Sequence, residues 1–191
     1  PLSIRRQRQM CIRDSGYSAR IVLRFSPQHA GGEEIEIVGH DLGFVRVFKF
    51  ADYQQVIAHL GPDILAEDWE ADGRDEAIAR IMQRPERTLG AALLDQKNVA
   101  GIGNEYRAEV MFLVGMHPEV KVGQVGEVGV TKTIDLARKV MWDNRLEPHR
   151  VFTGDRRAGQ TNWVFGRAGK ACRRCGAAIQ QATLGGRWAG G

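Results

Sequence analysis

No apolar run in this 191-residue chain approaches the roughly 18–20 residues that a membrane-spanning helix needs. No charged start leads into an apolar stretch with a cleavage site either. Neither membrane insertion nor secretion is indicated, and the default address is the cytoplasm. Cysteine is scarce, with three in all and two of them in the run Cys172-Arg173-Arg174-Cys175. Three are too few for a disulfide framework, so the clustered pair asks for a metal or a redox reading. Histidine is missing around that pair, since the last of the five is His149. No internal repeat is apparent.

What is present suffices for a folded core. Apolar residues make up 43% of the chain, enough for one large domain or two small ones. The net charge of +4 is modest, but its distribution is uneven. Residues 16–85 carry 7 Lys/Arg against 12 Asp/Glu, a net of 7 − 12 = −5. From Arg150 to Arg187 eight basic residues stand against Asp155 alone, a net of 8 − 1 = +7. A polyanion partner and a solvated basic tail are both consistent with that block.

Residues 1–15 show neither helical nor strand periodicity, and RQRQMCIRDS resembles translated adapter or vector sequence. They are set aside as a leader, non-native or disordered, and Cys11 as incidental. Short β-type runs follow at 19–25, 34–38 and 44–50, separated by Gly and Pro, and predict an antiparallel sheet segment. Residues 53–59 read as helix, Gly61-Pro62-Asp63 as a turn, and 75–83 as helix with Ile78, Ile81 and Met82 at helical spacing. Thr88 is placed to cap a helix through Leu94. Asn104 opens another helix that ends at Gly115, and a third is expected over 132–142 after a Gly-rich link at 123–129. Residues 163–191 suit a small hairpin that needs a metal staple.

Two motifs carry chemistry. In Leu93-Leu94-Asp95-Gln96-Lys97-Asn98-Val99-Ala100-Gly101-Ile102-Gly103-Asn104-Glu105-Tyr106 a tight double turn joins two helices. Gly101 and Gly103 permit backbone angles closed to other residues and a close approach to a ligand. Amides at the start of the second helix favour an anion such as a DNA phosphate, and Asn104 can add a side-chain hydrogen bond. Most such glycines merely serve a turn, so a structural role stands beside the binding one. Cys172 and Cys175 offer two corners of a tetrahedral zinc site, which needs four ligands. A thioredoxin-type pair is the competing reading, but it expects a βαβ context. An incomplete zinc ribbon is the better fit.

Taken together, these stretches resemble the formamidopyrimidine-DNA glycosylase and endonuclease VIII family. LLDQKNVAGIGNEYRAEVMFLVGMHPE is similar to its helix-two-turn-helix motif, and NWVFGRAGKACRRCGAAI to the approach to its C-terminal zinc finger. HLGPDIL and HDLGFVRVF extend the likeness more weakly, so that it covers residues 17–187. HDLGFVRVF and TGDRRAGQTNWVFGRAG look more like the endonuclease VIII branch, actinobacterial type.

The resemblance implies an α+β chain: a partial antiparallel β-sandwich segment, a helical helix-two-turn-helix domain and an incomplete zinc-finger hairpin. The expected divisions are a leader at 1–15, the C-terminal part of the β-rich catalytic domain at 16–85, the helix-two-turn-helix domain at 86–160 and the incomplete finger at 161–191. The implied function is base-excision-repair DNA glycosylase with abasic-site lyase activity on oxidised bases. Its partner is damaged double-stranded DNA, as a monomer in the bacterial cytoplasm at the nucleoid. Zinc, structural in the family, would take Cys172 and Cys175.

By the same resemblance Asn104 grips a phosphate beside the lesion, with Gly103 next to it. Arg187 contacts phosphate and assists the final elimination, and Glu109 supports the active site or pairs helices. Lys97 and Arg167 are phosphate contacts or surface cations. Family enzymes begin with Pro-Glu, whose proline amine attacks C1′ while the glutamate handles protons. Here Pro1 is followed by Leu2 and Ser3, and neither the preceding half of the catalytic domain nor a second cysteine pair has a counterpart. A central fragment lacking its catalytic pair is therefore expected. The alternative is a non-catalytic nucleic-acid-binding module, because a ribosomal small-subunit protein uses a similar two-turn motif on RNA.

Overall fold

In the computed structural model of the chain, residues 19–26, 33–43, 45–184 and 187–189 are described. Pro1, Cys11 and the whole 1–15 leader fall outside them. The chain forms two compact units, one ending at Gln54 and the other starting at Gln55.

The first unit contains an antiparallel pair, β1 (Ala19–Phe25) and β2 (Ile35–His40). Val22 faces Val38 and Leu23 faces Ile37, so β-branched and aliphatic side chains meet across the ladder. Arg24 donates to Glu36 at 2.8 Å from the adjoining pair. The third strand expected over 44–50 is not formed. Phe44 lies outside the described residues, 45–49 are irregular, and Phe50–Asp52 make a 3-10 turn. A strand needs a neighbour to satisfy its backbone, and among the described residues none pairs with this run. Val47 and Phe50 are 84% and 90% exposed accordingly.

The helix α1 (Tyr53–Ile57) spans the division between the units. Beyond it the second unit is helical: α2 (Arg74–Met82), α3 (Leu89–Leu94), α4 (Asn104–Val114) and α5 (Val122–Asn144). Its core begins well upstream of residue 86. Trp69, in a π-helical turn that leads into α2, is 1% exposed, and Ala77, Ile78 and Ile81 join Leu89, Leu93, Val110, Ile134 and Ala137 in one cluster. A single tryptophan in an otherwise polar stretch thus anchors the entry to the helical unit.

Two local expectations change. Thr88 stands extended before α3, but its side chain caps nothing. The N–H groups of Leu89 and Gly90 instead donate to the carbonyls of Val120 and Pro118 at 2.8 and 2.9 Å, so tertiary contacts take the place of a cap. The glycine-rich stretch 123–129 is helical on either side of Gly126, whose φ of 67° and ψ of 173° interrupt the helix, so α5 is two helical segments joined at that residue. At its start the Gln124 side chain accepts the Lys121 N–H at 3.2 Å, while Gly123 N–H donates to Pro85 O at 2.8 Å. Those anchors hold the first turn in place despite the low helix propensity of Gly123, and the break falls at Gly126, where the positive φ suits glycine. At the far end β3 (Ala182–Leu184) and β4 (Arg187–Ala189) pair antiparallel.

Candidate nucleic-acid interface

The double turn between α3 and α4 is braced from within. The Asp95 carboxylate accepts the Lys97 N–H at 3.0 Å and an Arg87 guanidinium hydrogen at 2.6 Å. The bond from Arg87 holds that carboxyl below its ordinary range, with the Lys97 N–H adding to it against partial burial. Gln96 spans the second turn, accepting from Gly101 N–H at 2.9 Å and donating to Ile102 O at 3.0 Å. Asn98 is buried and donates to Ala92 O at 2.9 Å.

A second segment buttresses the turn from outside. Gly61 N–H donates to Gln96 O at 2.7 Å, Ala100 N–H to Pro62 O at 2.9 Å and Ile64 N–H to Ala100 O at 3.1 Å. Gly61 is required by proximity, since a Cβ there would lie 2.5 Å from the Asn98 carbonyl. Gly101 is required by angle, with φ at 107°. Arg80 closes the far side, donating to Lys97 O at 2.7 Å.

This bracing leaves one edge outward. Lys97 and Gly103 are exposed, Asn104 is half-buried, and among the described residues no side chain caps the start of α4. The amides of a first helical turn have no partner inside the helix and carry the positive end of its dipole. An open groove of about 1010 Å³ adjoins them, lined by Gly101, Glu105, Tyr106, Arg150, Arg156 and Lys170 among others. Arg150 donates to Glu105 at 2.7 Å and Arg156 to Glu147 at 2.7 Å.

Glu109 and Arg167 converge on a different task. Glu109 is fully buried, and its carboxylate accepts the backbone N–H groups of Trp163, Val164 and Phe165 at 2.9, 2.9 and 2.7 Å. Burial pushes its pKa up, and the three donors oppose the shift without cancelling it. Arg167, 9% exposed, donates to the carbonyls of Trp163 and Ala171, the latter at 2.8 Å. Its guanidinium therefore holds a loop, at the wall of the same groove. Trp163 stacks on Phe112 with centroids 5.6 Å apart, so α4 carries the 162–165 loop on one face.

Cys172 and Cys175 sit on one tight turn. Gly176 N–H donates to Cys172 O at 2.9 Å, and Arg174 N–H approaches the Cys172 sulfur at 3.4 Å. Backbone N–H groups of Arg174 and Cys175 draw the Cys172 thiol below its usual range, which suits a thiolate ligand. Among the described residues, however, no third His, Cys, Asp or Glu joins them. The pair is half of a four-ligand set, and these residues by themselves do not make a structural zinc site. Arg187 opens β4 opposite Leu184.

Gly103 and Asn104 thus stand together at the start of α4 with Lys97 exposed in the preceding turn, whereas Glu109 and Arg167 both hold the backbone at Trp163. Sequence reasoning passed over Asp95, Gln96, Arg107 and Asn162. Only the first two carried a signal, being polar residues inside a turn motif.

The fold and this turn define a helix-two-turn-helix protein. Residues 60–151 match the family model described as the formamidopyrimidine-DNA glycosylase H2TH domain. Over 167 residues the chain is 41% identical to "Endonuclease 8 2" of Mycobacterium bovis, covering 87% of this chain and 62% of that relative. It is likewise 41% identical over 143 residues to the "DNA-(apurinic or apyrimidinic site) lyase Nei2" of Mycolicibacterium smegmatis, covering 75% and 55%. The crystal structure of MutM (Fpg) from Thermus thermophilus superposes with a TM-score of 0.59 at 25% identity, covering 72% of this chain and 54% of that one. Lactococcus lactis Fpg (MutM), solved with a FAPY-dG-containing DNA, gives 0.60 at 25% identity over 73% and 52%. The chain belongs to the formamidopyrimidine-DNA glycosylase and endonuclease VIII family. It spans less than two thirds of the length of the curated relatives it matches.

Proposed function

We propose that this chain is the DNA-clamping part of a base-excision-repair glycosylase with abasic-site lyase activity on oxidised bases, working in the bacterial cytoplasm on duplex DNA. The observation that carries this reading is the outward edge of the double turn. Gly103 and the start of α4 offer amides to one phosphate, with Asn104 beside them and Lys97 exposed in the turn that leads to them. The names borne by the Mycobacterium and Mycolicibacterium relatives point the same way. In this reading 16–54 belong to the β-rich catalytic domain and 161–191 to the finger, with Arg187 reaching a phosphate from β4 and the protein acting as a monomer. Glu109 supports the site at one remove, by fixing the 162–165 loop. Zinc would be structural in the whole enzyme, and no chemical step is routed through it here.

Enzymes of this kind act on a nucleotide turned out of the duplex, so distorted, weakly paired sites are favoured. Fluorescence anisotropy with an abasic-analogue duplex, a matched duplex and a structured RNA tests the reading. Tighter binding to the abasic duplex than to the other two is expected. Equal affinity for all three would replace it with a non-catalytic nucleic-acid-binding module.

A further inference from the structure

Two acids line the groove beside the double turn, Glu105 and Glu147, and each carries an arginine. In both pairs the acid is the inner partner. The side chains of Glu105 and Glu147 are 20% and 30% exposed, those of Arg150 and Arg156 56% and 74%. Each bond joins one nitrogen to one oxygen, Nη1 of Arg150 to Oε2 of Glu105 and Nη2 of Arg156 to Oε1 of Glu147, both at 2.7 Å. A guanidinium has five N–H donors, so most of each head is not committed to the acid. Glu105 is anchored from behind as well, its Oε1 accepting from Asn162 Nδ2 at 3.0 Å. The acids are the fixed members of these pairs and the arginines the movable ones.

An acid in a groove that attracts phosphate works against binding. Folding gives it little reason to be there, since partly exposed pairs of this kind add little stability. Its effect is on the terms under which its arginine leaves. A phosphate that takes Arg150 from Glu105 gains one charge-assisted bond while another is broken, and the carboxylate left behind repels it. The bared acid also gathers cations from solution, so the exchange releases fewer counterions than a free cation would. Both effects weaken a sequence-independent phosphate contact, and a protein that travels along undamaged DNA to reach rare sites needs such contacts to let go.

We propose that Arg150 and Arg156 are phosphate contacts reached by exchange of partners, and that Glu105 and Glu147 hold down the affinity of the groove for any duplex. The inference rests on the reading of this face as a DNA-binding surface. It adds two acids whose place there is to weaken binding.

Binding of the full chain to a matched and an abasic-analogue duplex over a salt series tests it with Glu105→Gln, Arg150→Met and the double variant E105Q/R150M. Glu105→Gln should tighten binding to both duplexes about fivefold at low salt, the scale of one contact between unit charges in watery surroundings. It should also steepen the slope of log affinity against log salt by up to about one. Arg150→Met should weaken both complexes. In its background Glu105→Gln should gain less than half as much, because the arginine it would release is gone and only repulsion is relieved. If circular dichroism shows Glu105→Gln unfolded, Glu147→Gln with Arg156→Met makes the same test at the other pair. Unchanged or lower affinity of a folded Glu105→Gln overturns the inference, as does parent-like affinity of Arg150→Met. An equal gain in both backgrounds overturns it too, since the acid and the arginine would then act independently. Failure of the parent to bind either duplex overturns the reading beneath it.

Discussion

At the scale of the residue, Asn98, Glu109, Thr133, Asn144 and Arg167 are buried polar side chains tied to backbone. Glu109 is the clearest case, one carboxylate gathering three N–H groups of a loop more than fifty positions away in sequence. Glu109→Gln replaces an acceptor oxygen with a donor that faces N–H groups. It should cost about 1–3 kcal/mol, the range for a buried group left unsatisfied, measured by urea denaturation. The parent should also show a pH dependence of definite sign. Burial raises the folded-state pKa of Glu109 above its ordinary value of 4.5, so the folded form holds the proton more tightly. Stability should then fall as pH rises from about 4.5 toward the raised value and level off beyond it. A flat profile there, or one that persists in the glutamine variant, would refute the assignment.

At the scale of the element, the double turn is a loop made rigid by a second loop. The 61–64 segment lies against 96–100 through backbone hydrogen bonds, which loop conformations rarely provide for each other. Arg138 extends the brace, donating from α5 to Ile64 O at 2.6 Å. Gly61→Ala forces the two backbones apart, because the added methyl would sit 2.5 Å from Asn98 backbone atoms. The expected loss is about 2–4 kcal/mol, the upper range of single-site effects with a named cause. Affinity for the abasic-analogue duplex should fall with it even at temperatures where the variant is folded. A variant with unchanged melting temperature and affinity would mean that the brace does not matter. The same logic explains Thr88 and Gly123, where long-range backbone partners took the place of a local cap and anchored the first turn of α5, before the break at Gly126.

At the scale of the whole molecule, the basic block after residue 150 is only partly free charge. Arg150, Arg156 and Arg157 pair with Glu105, Glu147 and Asp155, and Arg167 faces inward. Surface pairs of this kind add little stability and remain available to exchange partners with phosphate. Zinc belongs to this scale too, because a metal staple matters only where the rest of a unit cannot close on its own core. The cysteine turn already has its backbone bonds, with Cys172 N–H on Ala177 O at 2.7 Å and Gly169 N–H on Ile179 O at 2.8 Å. With two thiolates in reach, zinc should leave on dialysis against a chelator, and the melting temperature should not change. Retention of one equivalent of zinc, measured by atomic absorption, would show that further ligands complete the set.

The sequence by itself determined what depends on near neighbours. Helical spacing of Ile78 and Ile81, Gly115 as a stop, and the Gly101-Ile102-Gly103-Asn104 turn are signals within a few residues, and α2, α3 and α4 follow them closely. The outward edge of the site was legible for the same reason. Tertiary structure alone decided which polar side chains turn inward. Nothing around Arg107, Glu109 or Arg167 distinguishes a surface cation or acid from one closed over by a distant loop, and nothing in 44–50 reveals whether a neighbouring strand is at hand. Those outcomes rest on partners far away in sequence, and local periodicity carries no record of them.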